Sequence, residues 1–228
     1  MSKNLISVEN LNYSLGDNTK FSLKINKFIL KKSDSFLIYG DSGLGKSTFL
    51  NLLSGTLRPQ EGAINILGTN IVDSSSAVKD KIRGDHFGIV FQTFNLLPYI
   101  TVKNNILLGK AYSNRKQLLS SNDEVKILMD KLSLNYKDLV DRKAYELSIG
   151  QQQRVAVARA LIGKPEIIIA DEPTSALDQD NQKEFINLLF KSLDENEQGL
   201  IMVSHNKKLS KKFKIVKNIT EICEVNND

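Results

Sequence analysis

Cysteine is nearly absent: Cys223 is the only one in 228 residues. A lone thiol excludes an intrachain disulfide framework and a Cys/His metal cluster, and it fits a reducing cytosol. Long apolar runs are absent too. None approaches the roughly 18 residues of a membrane span, and the opening Met1–Glu9 has no apolar core of the signal-peptide kind. The expectation is that any membrane part comes from another chain. Neither an internal repeat nor a low-complexity linker interrupts the sequence. With 41% apolar and 25% charged residues, the chain can bury a core without staples.

The net charge is +5, and much of the excess is late, at Lys207, Lys208, Lys211, Lys212, Lys214 and Lys217. Such a cluster reads as a solvated helix face, or as a patch drawn to a membrane surface or a partner.

Four short apolar runs, Phe36–Tyr39, Ile89–Phe91, Ile167–Ala170 and Leu200–Val203, each end in a polar or glycine-rich turn. They read as parallel strands buried on both faces. Helical stretches are expected at about Lys46–Ser54, Gly150–Gly163 and Gln179–Asn196, which makes the chain α/β. Leu5–Leu11 and Phe21–Leu30 alternate apolar and polar around a turn at Gly16-Asp17-Asn18, and Ala63–Leu67 adds a candidate strand. These predict a small antiparallel β-subdomain. The stretch after Phe94 lacks a buried-strand signal and predicts an inserted helical subdomain, about 94–162.

Gly40-Asp41-Ser42-Gly43-Leu44-Gly45-Lys46-Ser47-Thr48 fits the phosphate-binding loop pattern, with a strand before it and a helix after. Glycines let successive backbone N–H groups curl toward phosphate oxygens, and the helix N-terminus adds partial positive charge. Lys46 supplies a cation for the β- and γ-phosphates, and Ser47 a hydroxyl for Mg²⁺. The strand Ile167–Ala170 ends in Asp171-Glu172. A carboxylate at the carboxyl end of a parallel strand lies where open α/β sheets bind ligands. Asp171 is the candidate Mg²⁺ ligand and Glu172 the candidate general base for an attacking water. Together the motifs predict a P-loop ATPase fold: a parallel core sheet, the antiparallel β-subdomain and the helical insertion.

Further motifs follow in order: Gln92 after a strand, Leu147-Ser148-Ile149-Gly150-Gln151 before a helix, Ser175-Ala176-Leu177-Asp178 after the carboxylates, and His205 after the last strand. This order resembles the nucleotide-binding domain of ABC transporters, across nearly the whole chain taken as one domain, 1–228. The resemblance implies that Gln92 touches Mg²⁺ or the attacking water. It implies that Ser148, Gly150 and Gln151 form the signature that binds the ATP of an opposite protomer, and that Asp178 lies at the dimer interface. It further implies that His205 orients the water and that Tyr13 stacks on adenine. His86–Gln92, Phe94–Pro98, Gln151–Arg154 and Ile169–Asp178 are most similar to the lipoprotein-release and macrolide-exporter group, which includes a cell-division ATPase.

The resemblance implies ATP and Mg²⁺ as cofactors, a homodimer closed by ATP, and a separate permease partner. It places the chain in the cytoplasm, peripheral on the inner face of the cell membrane. A cell-division-type ATPase that transmits force without transporting a substrate remains the alternative. No nucleic-acid partner is expected, since the coiled-coil insertion or tandem domains of nucleic-acid-acting relatives are missing. Three departures stand out: Ile149 replaces the first glycine of the signature, Asn206 replaces an aspartate after the histidine, and Asp34 replaces a turn glycine. Ile149 requires ordinary backbone geometry there, and Asp34 is expected to alter only a hairpin.

Overall fold

The computed structural model describes residues 4–15, 21–113, 120–175, 177–194 and 196–227. The turn expected at Gly16-Asp17-Asn18 and the residue Ala176 lie outside the described residues. The chain begins with β1 (Asn4–Ser14), β2 (Phe21–Lys31), β3 (Ser35–Tyr39), α1 (Lys46–Leu53), β4 (Glu61–Ile66) and β5 (Thr69–Asn70). It continues through α2 (Ser76–His86), β6 (Phe87–Val90), α3 (Val102–Leu107), α4 (Ser121–Lys131), α5 (Tyr136–Leu139) and α6 (Ile149–Leu161). Then come β7 (Ile167–Asp171), α7 (Gln179–Ser192), β8 (Gly199–Ser204), β9 (Ile215–Asn218) and β10 (Glu224–Asn227).

The strands form two sheets. One is antiparallel in the order β10-β2-β1-β4-β5; the other is parallel in the order β6-β7-β8-β3-β9. The parallel sheet divides the core, because successive side chains of a strand point to opposite faces. Phe36, Ile38, Ile167, Ile169, Ile201 and Val203 join the cluster that also holds Phe49, Leu52 and Leu53 of α1 and the inner face of the antiparallel sheet. Leu37, Ile168, Leu200 and Met202 join the opposite cluster, with apolar residues of α3, α4, α6 and α7. The helices between β6 and β7 therefore share one continuous apolar cluster with the parallel sheet.

Alternation in β1 breaks near its start, where Leu5 and Ile6 are both buried, and again at Asn10. Its register against β4 shifts between Glu9 and Asn12, where Asn10 takes a left-handed φ of 48°. The extra residue lets Val8 and Leu11 both face the core. Gly62 lies opposite; a Cβ there would come within 2.5 Å of the Asn10 carbonyl oxygen.

Helix α2 and strands β9 and β10 had no sequence signal, for physical reasons. Helix α2 buries no side chain, so it has no apolar stripe. Strands β9 and β10 are sheet edges, and their short sequences carry no buried run. The expected strand Ile89–Phe91 starts two residues earlier and ends one residue earlier, at β6, and Phe91 leaves the sheet 39% exposed. At the Asp34 turn the left-handed residue is Ser33, at φ 68°. The Asp34 carboxylate accepts from the Lys31 N–H at 2.8 Å and closes that hairpin.

Candidate nucleotide-binding and hydrolysis site

Sheet order assembles the site. β6, β7, β8 and β3 are consecutive neighbours in the parallel sheet. Gln92, Asp171-Glu172, His205 and the Gly40–Thr48 loop leave the carboxyl ends of those same strands. Residues up to 165 apart in sequence meet in this way, as for His205 and Gly40.

The loop folds as its glycines require. Gly43 and Gly45 take φ of 82° and 79°, in the left-handed region that costs a side-chain-bearing residue energy. Gly45 is the N-cap of α1, without a side-chain cap, so first-turn N–H groups of the helix are left to meet an anion. Lys46 is buried, and its Nζ donates at 2.8 Å to the carbonyl oxygens of Gly40 and Asp41. The loop thus holds its own cation in place.

Asp171 ends β7, and its Oδ1 accepts from the Ser47 hydroxyl at 3.3 Å. Burial pushes its pKa up, and the Ser47 hydrogen bond and the Lys46 charge pull against that rise. A partly desolvated carboxylate beside a hydroxyl is a hard oxygen donor pair of the kind Mg²⁺ takes, with water and phosphate completing its shell. Among the described residues no cluster of three or more His, Cys, Asp or Glu side chains could hold a metal unaided.

Glu172 has a φ of 43°, which is strained for a non-glycine residue. Its backbone N–H donates to Val203 O at 3.1 Å, tying the turn to β8. This turns the carboxylate inward: Oε1 lies 2.6 Å from His205 Nε2 and 3.7 Å from Lys46 Nζ. His205 Nδ1 donates to Gly40 O at 3.1 Å. Glu172, His205, Lys46 and the phosphate loop therefore form one connected group.

The signature residues stand apart from that group. Ser148 caps α6, and Ser148 and Gln151 close a reciprocal capping box, at 3.3 Å to the Ser148 hydroxyl and 3.0 Å to the Gln151 amide oxygen. Ile149 has no left-handed φ, opens the helix and is 60% exposed. A Cβ at Gly150 would meet nothing within 4 Å, so the helix start is open to close approach. No hydrogen bond among the described residues joins Ser148, Gly150 or Gln151 to the phosphate loop of their own chain. Asp178 caps α7 through the Asp180 and Asn181 N–H groups, and its bonds from Asn181 hold its carboxyl below the usual range.

Two sequence-nominated residues sit differently from the expectation. Tyr13 is 7% exposed and packed in the core beneath the antiparallel sheet, so its ring offers adenine no open face in this structure. The register shift in β1 turns that ring inward. Half-buried Phe21 instead lies against the phosphate loop: a Cβ at Gly45 would be 3.1 Å from its ring. Gln92 is exposed in the turn after β6, beside the strand that ends in Asp171. No hydrogen bond among the described residues links it to Asp171 or Ser47. Cys223 is buried, and burial pushes its thiol up to about 12, so it is chemically silent near neutral pH.

A family model described as "ABC transporter" matches residues 23–175. The chain belongs to the ABC transporter family. It is 35% identical over 211 residues to the lipoprotein-releasing system ATP-binding protein LolD of Wigglesworthia glossinidia brevipalpis, covering 92% of this chain and 91% of that protein. It is 38% identical over 204 residues to the macrolide export ATP-binding/permease protein MacB of Bdellovibrio bacteriovorus, covering 89% of this chain and only 30% of that longer protein. Among solved structures, the dimeric ABC cassette MJ0796 superposes with a TM-score of 0.78 at 30% identity, over 93% of both chains. A second structure of MJ0796, a post-hydrolysis state bound to ADP and Pi, superposes with a TM-score of 0.77. The chain is therefore an ATP-hydrolysing subunit of an ABC membrane transporter, of the LolD/MacB group. No helix among the described residues is long and apolar enough to cross a membrane.

This ABC subunit also has a groove of about 770 Å³, away from the phosphate loop, lined by Phe91, Ile89, Leu108, Tyr112, Arg159 and Asp80 among others. Glycines let its walls close up: a Cβ at Gly109 would sit 1.9 Å from Arg159 O, and one at Gly88 2.0 Å from Ala160 O. Arg159, whose pKa burial lowers, donates to the carbonyl oxygens of Phe94 and Asn95. Those two residues take φ of 58° and 48°, so the guanidinium holds a strained turn beside the groove. Buried Asn105 clasps the next residues by accepting from Leu97 N at 2.8 Å and donating to Leu97 O at 3.0 Å. Neither Arg159 nor Asn105 was legible as a positioning residue, because no local motif surrounds them.

Proposed function

We propose that two copies of this chain close head to tail around two ATP molecules. Each site would take the Gly40–Thr48 loop, Asp171, Glu172, Gln92 and His205 from one copy and Ser148, Gly150 and Gln151 from the other. One observation carries the reading. The base, histidine and lysine are already connected within one chain, while among the described residues the capped, open start of α6 has no hydrogen bond to that chain's own phosphate loop. In this reading Lys46 and the loop N–H groups hold the phosphates, Glu172 takes the proton of the attacking water, and His205 fixes the carboxylate. Ser47 and Asp171, with Gln92, would hold Mg²⁺, which when bound offsets the charge of the phosphate oxygens. The chain acts as a single nucleotide-binding domain, with residues of about 94–162 as its helical subdomain.

The second half of the proposal concerns the membrane. A separate permease would seat a cytoplasmic segment in the groove beside Arg159, next to exposed Leu97 and Tyr99, keeping this subunit on the inner face of the membrane. The LolD and MacB relatives are named for lipoprotein release and macrolide export; here the permease would choose the substrate.

The test is Glu172→Gln. It should retain ATP binding, lose hydrolysis by about 10²-fold or more, and elute as an ATP-dependent dimer on size-exclusion chromatography. A variant that turns over normally, or stays monomeric while binding ATP, removes the reading.

A further inference from the structure

The residue after His205 departs from the aspartate that the family resemblance leads one to expect, and the structure shows what it contacts. Asn206 Nδ2 donates to Gln182 Oε1 at 2.7 Å, while Asn206 Oδ1 accepts from Lys208 N at 3.0 Å. Gln182 stands in the first turn of α7. Its Nε2 donates to Thr174 O at 3.0 Å and to Leu177 O at 2.9 Å. Those two carbonyls belong to the loop that follows Glu172. One amide therefore ties the loop carrying His205 to the loop carrying Glu172, just behind the 2.6 Å contact between those two side chains.

The polarity of this link is fixed. Both N–H bonds of Gln182 are committed to carbonyl oxygens, so turning the amide over would bring its oxygen against two acceptors. Gln182 must present an oxygen to position 206, and position 206 must donate. Turning Asn206 over would put its NH₂ against the Lys208 N–H and leave two oxygens facing across the link. An ionised aspartate at 206 could still accept from Lys208, but its second oxygen would confront Gln182 Oε1 at hydrogen-bond distance. Asn206, Gln182 and Leu177 are half-buried and Thr174 is buried, while Lys208 is exposed, so a mismatched acceptor pair between positions 182 and 206 is poorly relieved by water.

We infer that Gln182 and Asn206 are a matched amide pair that positions the Glu172 loop against His205 for ATP hydrolysis. Both are positioning residues: neither touches the nucleotide site directly. The inference rests on the proposed roles of Glu172 and His205.

The experiment compares kcat, nucleotide affinity and melting temperature for Asn206→Asp, Gln182→Lys and the double variant, using purified full-length chain with MgATP and fluorescent ADP. Asn206→Asp should lower kcat about tenfold and leave ADP affinity within about twofold, because the phosphate loop is untouched. Gln182→Lys alone keeps donors for both carbonyls but sets a cation against the Asn206 NH₂, and should also lower kcat. The double variant should recover most of the rate, since an ammonium can donate to Thr174 O, Leu177 O and the new carboxylate together. Gln182→Met, which removes the link without a charge, is the second arm if Asn206→Asp fails to fold, and should give the same loss of kcat at unchanged ADP affinity. Wild-type kcat in Asn206→Asp or in Gln182→Met overturns the inference, and so does a double variant whose two losses simply add. Glu172→Gln run in parallel separates the two claims. If it hydrolyses normally, the assignment of the base fails; if it is inactive while Asn206→Asp is normal, only the amide pair fails.

Discussion

His205 Nε2 lies 2.6 Å from Glu172 Oε1, and the same ring donates from Nδ1 to Gly40 O at 3.1 Å. One imidazole thus bridges Glu172, the proposed general base, and the first residue of the phosphate loop. Among the described residues, His205→Ala leaves the Glu172 carboxylate with the more distant Lys46, 3.7 Å away. Hydrolysis should fall about 10²-fold or more, with ADP binding nearly unchanged, by steady-state ATPase and fluorescence titration. A rate within a few-fold of wild type would place the histidine outside the reaction.

Asp171 makes a prediction of opposite sign for stability and activity. Burial raises its pKa in the folded chain, so folding disfavours its carboxylate. For an acid with a raised folded pKa, stability is greatest below the unfolded pKa and declines as pH rises through the folded one. At neutral pH the charged group is thus a net burden on the nucleotide-free protein. Asp171→Asn should raise the melting temperature of nucleotide-free protein at pH 7, with the gain disappearing near pH 4, and should suppress Mg²⁺-dependent hydrolysis. Scanning calorimetry at the two pH values, alongside ATPase assays, reads both; a lower melting temperature at pH 7 contradicts the sign.

Ser148 and Ile149 adjoin but should behave differently. Ile149 is 60% exposed at the first turn of α6, so Ile149→Gly should lower stability by at most about 1 kcal/mol and change hydrolysis only modestly. Ser148→Arg removes the capping hydroxyl, worth about 1 kcal/mol, and sets a bulky cation at the open helix start. It should abolish ATP-driven dimerisation. Multi-angle light scattering with MgATP distinguishes them, and a dimer in Ser148→Arg would end the two-chain site.

The groove prediction needs residues that do not hold the fold. Leu97 is 50% exposed and Tyr112 83% exposed. Leu97→Asp and Tyr112→Asp should fold, keep the ATPase of the isolated subunit within about twofold, and lose stimulation by the membrane partner, as each buries an unpaired charge on docking. Stimulation that survives both changes would move the docking site elsewhere.

The sequence by itself determined what could be written as a contiguous string. Gly40–Thr48 is legible because strand, loop and helix are consecutive, and left-handed turns such as Gly43 and Gly45 demand a particular residue type. Asp171-Glu172 is legible because a buried strand must stop where charge begins, and Ser148 because a helix needs its cap nearby. The tertiary structure alone decided what meets across the sheet. Strand order put His205 against Glu172 and Gly40, packing joined the side chains of Asn206 and Gln182, and it brought Arg159 to the carbonyl oxygens of Phe94 and Asn95. It also decided against an open Tyr13, since one extra residue in β1 sets which way that ring faces. Local order follows from short-range sterics and periodicity, which a single sequence displays; pairing between strands and contacts between loops depend on the packing of residues far apart in the chain, and no short stretch encodes them.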